Sequence, residues 1–146
     1  MPPGPQPPYH LRHREEIFSE RGFPERVAEL RDLHPPEEDW SQAKAPFLEL
    51  FRNAYEEGRA CLKRRFEEGA TGREIVRGHA YLTDRLLQQL WRLLPDYLES
   101  ARGSSPLCIL AVGGYGRAEL HPHSDIDLLL LHEDTAPAAA AFAEPL

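Results

Sequence analysis

Cysteine is scarce in this chain. Cys61 and Cys108 are its two cysteines, 47 positions apart and outside any C-x-x-C pair. That excludes a disulfide framework and a thiolate zinc site. Both are expected as small buried hydrophobes in a reducing compartment. A long apolar run is also missing. The two best stretches are Leu107–Val112 and Ile126–Leu131, the second interrupted by Asp127. Each falls far short of the roughly 20 residues a membrane helix needs. The first residues show no basic segment leading into an apolar core, so no signal peptide is visible. Positive charge is short as well: 17 Lys and Arg stand against 24 Asp and Glu, a formal charge of -7. Bulk electrostatics therefore do not favour a nucleic-acid partner, although a local phosphate pocket needs only a few donors. These absences point to a cytoplasmic protein without a membrane or nucleic-acid partner.

What is present is ordinary for a globular chain. The 146 residues amount to one domain, with 41% hydrophobic and 28% charged residues and no visible internal repeat. Residues Met1–Pro8 hold five of the 14 prolines and are expected to be disordered. Residues 1–45 as a whole read as a largely disordered or irregular segment, with Pro35-Pro36 as a break and a short helix over about 24–33.

Residues 46–100 read as helical. From Pro46 to Glu68, the residues Phe47, Leu48, Phe51, Ala54, Tyr55, Leu62 and Phe66 recur at helical spacing. Pro46 suits a first helical turn and Gly69 a helix end. Thr71 and Glu74 form a T-x-x-E capping box for a second helix. Its stripe runs through Ile75, Val76, His79, Leu82, Leu86, Leu87, Leu90, Trp91 and Leu94, with Pro95 ending or kinking it. The short link between the helices predicts antiparallel neighbours, and both stripes read as core packing.

From residue 104 the period changes. Leu107–Val112 and Ile126–Leu131 read as buried strands, and the alanine-rich Thr135–Leu146 as the beginning of a helix. Between the strands lies Gly113-Gly114-Tyr115-Gly116-Arg117-Ala118-Glu119-Leu120-His121-Pro122-His123-Ser124-Asp125-Ile126-Asp127. A strand ending in Gly-Gly allows a sharp turn and close approach of a ligand to main-chain N–H groups. Asp125 and Asp127, two apart at a strand entry, share one face. Their repulsion is relieved by a cation, and Mg²⁺ suits a pair of carboxylates completed by substrate phosphates. Ten residues separate Gly114 from Asp125, room for a turn, a short helix and a return into a neighbouring strand. Phosphate-binding N–H groups would then face the metal-binding pair, as a triphosphate requires. Each half alone has a bland reading, a plain turn and a polar strand entry.

Strand, Gly-Gly and D-x-D in this order resemble the nucleotidyltransferase superfamily that includes DNA polymerase β. The fuller string GGYGRAELHPHSDIDLLLL, with the helices before it, resembles the N-terminal catalytic domain of bacterial protein-PII uridylyltransferases over residues 46–146. Ala118 departs from the resemblance, standing where glycine is expected. The resemblance implies an α+β fold: a leading antiparallel helix pair, then a truncated nucleotidyltransferase sheet with two recognisable strands, begun at residues 104–146 and incomplete.

It further implies that Gly113 and Gly114 approach the triphosphate of UTP, with Arg117 and Ser124 as further phosphate contacts. Asp125 and Asp127 would be the catalytic carboxylates holding two Mg²⁺ ions. UMP would pass from UTP to a tyrosine hydroxyl of the PII signalling protein, releasing pyrophosphate. His121 and His123 read as structural, and Glu119 as a solvated helix charge. Members of this family also carry a third metal carboxylate, an HD phosphohydrolase domain that removes the uridylyl group, and ACT domains that sense glutamine. None of these is found in the sequence, so the chain is expected to be an inactive fragment of a longer enzyme. Two other readings stay open: a protein adenylyltransferase of the same superfamily, and a non-catalytic interaction module built on the helix pair.

Overall fold

The computed structural model describes residues 11–36, 40–97 and 107–132. In chain order they form a 3-10 turn at Arg14–Glu16, α1 (Gly22–Leu33), α2 (Trp40–Glu67), α3 (Gly72–Tyr97), β1 (Leu107–Ala111), the single-turn α4 (Gly113–Gly116) and β2 (Leu128–His132). The fold is α+β and mostly helical, with a two-stranded antiparallel sheet. Met1–Pro8 and the Thr135–Leu146 tail lie outside the described residues.

The frame is the pairing of α2 with α3, and glycine makes it close. A Cβ on Gly78 would fall 2.3 Å from the Leu62 side chain, and one on Gly58 would fall 2.7 Å from that of Leu82. These two contacts step in opposite directions along the helices, so the pair runs antiparallel. Toward the far end Phe47 meets Tyr97, ring centroids 5.4 Å apart. Phe47, Leu62, Tyr81 and Leu82 are the largest fully buried side chains, and burying such a leucine or phenylalanine contributes about 1.5–3 kcal/mol. The turn between the helices is well terminated on both sides. At the end of α2 the amide of Ala70 donates to the Arg65 carbonyl at 2.9 Å and that of Gly69 to Phe66 at 3.0 Å, a Schellman pattern. At the start of α3 the amide of Thr71 donates to the Glu74 carboxylate at 3.0 Å, and that of Glu74 to the Thr71 hydroxyl at 3.3 Å. The capping box forms as its sequence spacing predicts, and these bonds hold the Glu74 carboxyl below its usual range.

Both helices outrun their prolines. α2 begins at Trp40 rather than Pro46, which lies inside the helix. An interior proline costs about 3 kcal/mol, and packing offsets it. Trp40 stacks on Phe47 at 6.0 Å and meets Tyr97 at a tilt at 5.2 Å, and Ala43 is fully buried. α3 likewise continues through Pro95 to Tyr97. There Asp96 pairs with Arg31 at 2.8 Å, and the Tyr97 hydroxyl donates to the His34 carbonyl.

Two assignments to the apolar face of α2 are corrected. Leu48 and Phe66 are exposed, while Leu50 and Cys61 are buried. The buried stripe steps through Ala43, Phe47, Leu50, Ala54, Cys61 and Leu62, a face rotated slightly from the expected one.

The segment 1–45, expected to be largely irregular, is ordered where it is described. Ile17, Phe18 and Phe23 bury against the helix pair. The Arg65 guanidinium donates to the carbonyls of Arg12 and His13 at 2.9 and 2.7 Å and to Glu16 at 3.0 Å. Three aromatic and aliphatic anchors and one arginine thus recruit a charged stretch that has weak periodicity of its own.

β1 and β2 pair in register from Leu107 with His132 to Ala111 with Leu128. Their sequences predict burial, yet both are exposed in the described residues: Ile109, Leu110 and Leu128–Leu131 all face solvent. No described element covers either face of the ribbon, because two strands alone offer no second layer. For the same reason Cys108, expected as a buried hydrophobe, is exposed; Cys61 is buried as expected.

Candidate functional site

The loop from Val112 to Asp127 joins the two strands, and its backbone is heavily cross-bonded. Val112 leaves β1 in extended conformation, and Gly113 turns the chain with φ of +61°, a conformation glycine adopts without cost. The Gly116 amide then donates to the Val112 carbonyl at 2.8 Å, and the Gly114 carbonyl accepts from Glu119 at 2.9 Å and Arg117 at 3.2 Å. Gly116 has no room for a side chain: its Cβ would meet the Ala111 carbonyl oxygen at 2.6 Å. Sequence reasoning names Gly113 and Gly114 and misses Gly116, although the third glycine of the run is the signal. Ala118 holds φ of 59°, which explains why glycine is the expected residue there.

The return arm comes back beside the turn. The Val112 amide donates to the Asp127 carbonyl at 3.1 Å, one step beyond the Ala111–Leu128 pair of the ladder. That bond sets the Asp127 side chain over the glycine turn. A Cβ built on Gly113 would lie 2.6 Å from Asp127 Oδ2. Asp125 lies two residues earlier, in the extended link ahead of β2, and both aspartates are exposed. Ser124, whose amide donates to the His121 carbonyl at 3.1 Å, is exposed as well. Arg117 is exposed and faces Glu119, Nε to Oε2 3.7 Å; Glu119 is solvated as expected, but it lies past α4 rather than within a helix.

Two side chains of the loop are buried, Tyr115 at 4% and Leu120 at 5% exposure, packed on Ala80 of α3. The Tyr115 hydroxyl donates to Asp84 Oδ1 at 2.6 Å. Sequence reasoning does not single out either residue. The loop's other side borders a cleft of about 950 Å³, whose walls include Arg59, Lys63, Phe66 and Arg73 from the helix pair and His121 and His123 from the loop. His79 also lines it. Burial pushes the His79 imidazole down to about 4, with the Arg59 and His123 charges acting the same way.

Chemically, the turn offers main-chain N–H groups and two accessible carboxylates within one loop. Among the described residues no group of three or more His, Cys, Asp or Glu is placed to hold a metal ion. Two hard oxygen donors remain, and two carboxylates completed by phosphate oxygens are a donor set that fits Mg²⁺. Among the described residues no helix is long and apolar enough to cross a membrane.

Comparison with known proteins converges on the same stretch. The family model described as "Putative nucleotidyltransferase DUF294" matches residues 56–146. Among the proteins to which the chain is similar are three named bifunctional uridylyltransferase/uridylyl-removing enzyme. That of Pseudomonas putida (strain W619) is 42% identical over 91 residues, 62% of this chain and 10% of that protein. That of Pseudomonas syringae pv. tomato is 40% identical over 103 residues, 70% of this chain and 11% of that protein. That of Erythrobacter litoralis is 36% identical over 100 residues, 66% of this chain and 11% of that protein. The chain thus spans about a tenth of the length of the curated relatives it matches. No solved structure matches it.

Proposed function

The chain belongs to the DUF294 nucleotidyltransferase family, and on that premise we propose that its Val112–Asp127 loop is the phosphate- and metal-binding part of a protein uridylyltransferase. In this reading UMP passes from UTP to a tyrosine of the PII signalling protein, in the cytoplasm. Glutamine acts as an effector only in the full-length enzyme. The observation that carries the reading is the approach of the Asp127 carboxylate to within 2.6 Å of a Cβ position on Gly113. It brings one member of the acidic pair beside the glycine turn, which supports reading the two halves of the motif as one site.

The chemistry is a displacement at phosphorus. The tyrosine oxygen forms a bond to the α-phosphorus of UTP, the bond from that phosphorus to the bridging oxygen breaks, pyrophosphate leaves, and the hydroxyl proton passes to solvent. Asp125 and Asp127 would hold Mg²⁺, which when bound neutralises charge on the phosphate oxygens. The chain's own residues do the positioning. The side-chain-free turn at Gly113 and Gly114 lets phosphate oxygens reach main-chain N–H groups, and Ser124 and Arg117 lie on the same exposed loop to add donors. Positioning and electrostatic stabilisation account for most of the catalysis in phosphoryl transfer.

The test joins this chain to the remainder of the Pseudomonas putida relative and incubates the product with radiolabelled UTP, PII and Mg²⁺. Label is expected on PII, and its loss is expected when Asp125→Asn is combined with Asp127→Asn. Transfer that survives the double change overturns the assignment.

A further inference from the structure

α3 has two working faces. Ile75, Leu82 and Leu86 join the core shared with α2. Ala80 and Leu87 sit on another face, against Tyr115 and Leu120 of the loop. Asp84 lies between Ala80 and Leu87 at helical spacing, so it belongs to the face that meets the loop. It accepts the Tyr115 hydroxyl at 2.6 Å, a short bond of the kind a carboxylate makes. Around this contact the loop is exposed: Gly113, Gly116, Arg117, Glu119 and all of His121–Asp127 face solvent. A single-turn helix has little stability of its own. The Gly113 turn that brings Asp127 into place is therefore held from one side by the strand ladder and from the other by Tyr115.

We propose that Asp84 and Tyr115 are a positioning pair: Asp84, acting through the Tyr115 hydroxyl, locks the glycine turn so that its N–H groups and Asp127 are aligned for the nucleotide. Neither residue touches substrate. The proposal rests on the uridylyl-transfer reading for its kinetic consequence, but the tether itself concerns this chain alone. It also gives the helix pair a task beyond core packing, since α3 is the wall against which the phosphate loop is set.

The variants separate geometry from bulk. Tyr115→Phe keeps the ring and removes the donor. Asp84→Leu removes the acceptor, whereas Asp84→Asn keeps an acceptor oxygen at the same position. Two readouts are taken. Amide hydrogen exchange of Gly116, Arg117 and Glu119 is followed on the chain without nucleotide, and the KM for UTP is followed in the chimera with PII. Tyr115→Phe and Asp84→Leu are each expected to speed loop exchange about tenfold or more while leaving exchange in the α2–α3 core unchanged. Each should raise the KM for UTP about tenfold, with the double variant no worse than either single one. Asp84→Asn should restore most of both. Unchanged loop exchange in Tyr115→Phe, additive effects in the double variant, or Asp84→Asn as impaired as Asp84→Leu overturns the proposal. Faster loop exchange with an unchanged KM overturns the positioning role. If the parent chimera transfers no label, the uridylyl-transfer reading has failed, and the exchange data alone decide the tether.

Discussion

Asp127 Oδ2 lies 2.6 Å from the place a Cβ on Gly113 would take, so the carboxylate occupies the volume that a side chain at residue 113 needs. The same residue has φ of +61°. A substitution there strains its own backbone and pushes the exposed Asp127 carboxylate aside.

Gly113→Ala is expected to cost about 1–2 kcal/mol of stability from the left-handed backbone, seen as a drop of a few degrees in the thermal midpoint. The larger effect falls on the site, because the methyl group displaces the Asp127 carboxylate. A misplacement of about 1 Å in a catalytic constellation costs on the order of 100-fold in rate. Uridylyl transfer by the chimera should fall by about that factor while the variant remains folded by circular dichroism. Full activity in Gly113→Ala would show that Asp127 does its work elsewhere.

Ala118→Gly should stabilise the chain. Ala118 holds φ of 59°, a conformation that costs an L-residue about 1–2 kcal/mol. Glycine's greater freedom in the unfolded state returns roughly half of that. A net gain of about 0.5–1 kcal/mol is expected in urea unfolding, and a loss for Ala118→Val, whose branched Cβ fits that conformation poorly. Equal midpoints for all three proteins would contradict the geometry.

Acid should weaken the fold through His79. The folded protein holds this imidazole neutral, its pKa lowered from 6.5 to about 4. The unfolded chain protonates it near 6.5. The unfolded state therefore binds the extra proton first as pH falls. The stability that His79 contributes is complete above about 6.5 and is lost progressively as pH drops toward 4. Allowing for partial solvent access at the cleft, the loss is about 1–2 kcal/mol. Urea unfolding at pH 7 and pH 4.5 should show that difference in the parent chain and a smaller one in His79→Gln. An equal pH dependence in both assigns the acid sensitivity to other groups.

Much of this is legible in the sequence where local chemistry decides structure. The Thr71–Glu74 capping box and the helix end at Gly69 form as their residues predict, because both depend on neighbours a few positions away. The strand–turn–strand order around Gly113 is legible for the same reason. Interactions distant in sequence are not. Trp40 carries α2 past Pro46 by packing on Phe47 and Tyr97, 7 and 57 positions onward. Ile17, Phe18 and Phe23 are ordered by a core to which their own stretch gives no clue. Tyr115 is one aromatic among glycines until α3 places Asp84 opposite its hydroxyl, 31 positions away. Burial of the strands does not follow from their leucines, because an unbroken apolar run reports what a strand needs, not what covers it.

The leucine ribbon has a consequence for handling the protein. β2 presents Leu128–Leu131 with no charge among them, and β1 opposite it adds Ile109 and Leu110, all exposed. Among the described residues its outer edges offer unpaired backbone groups to any passing strand, and such edges seed aggregation when they are flat and apolar. Whatever lies against this ribbon therefore governs solubility as well as chemistry, and a preparation that leaves it bare will favour sticking to chaperones, to surfaces or to itself.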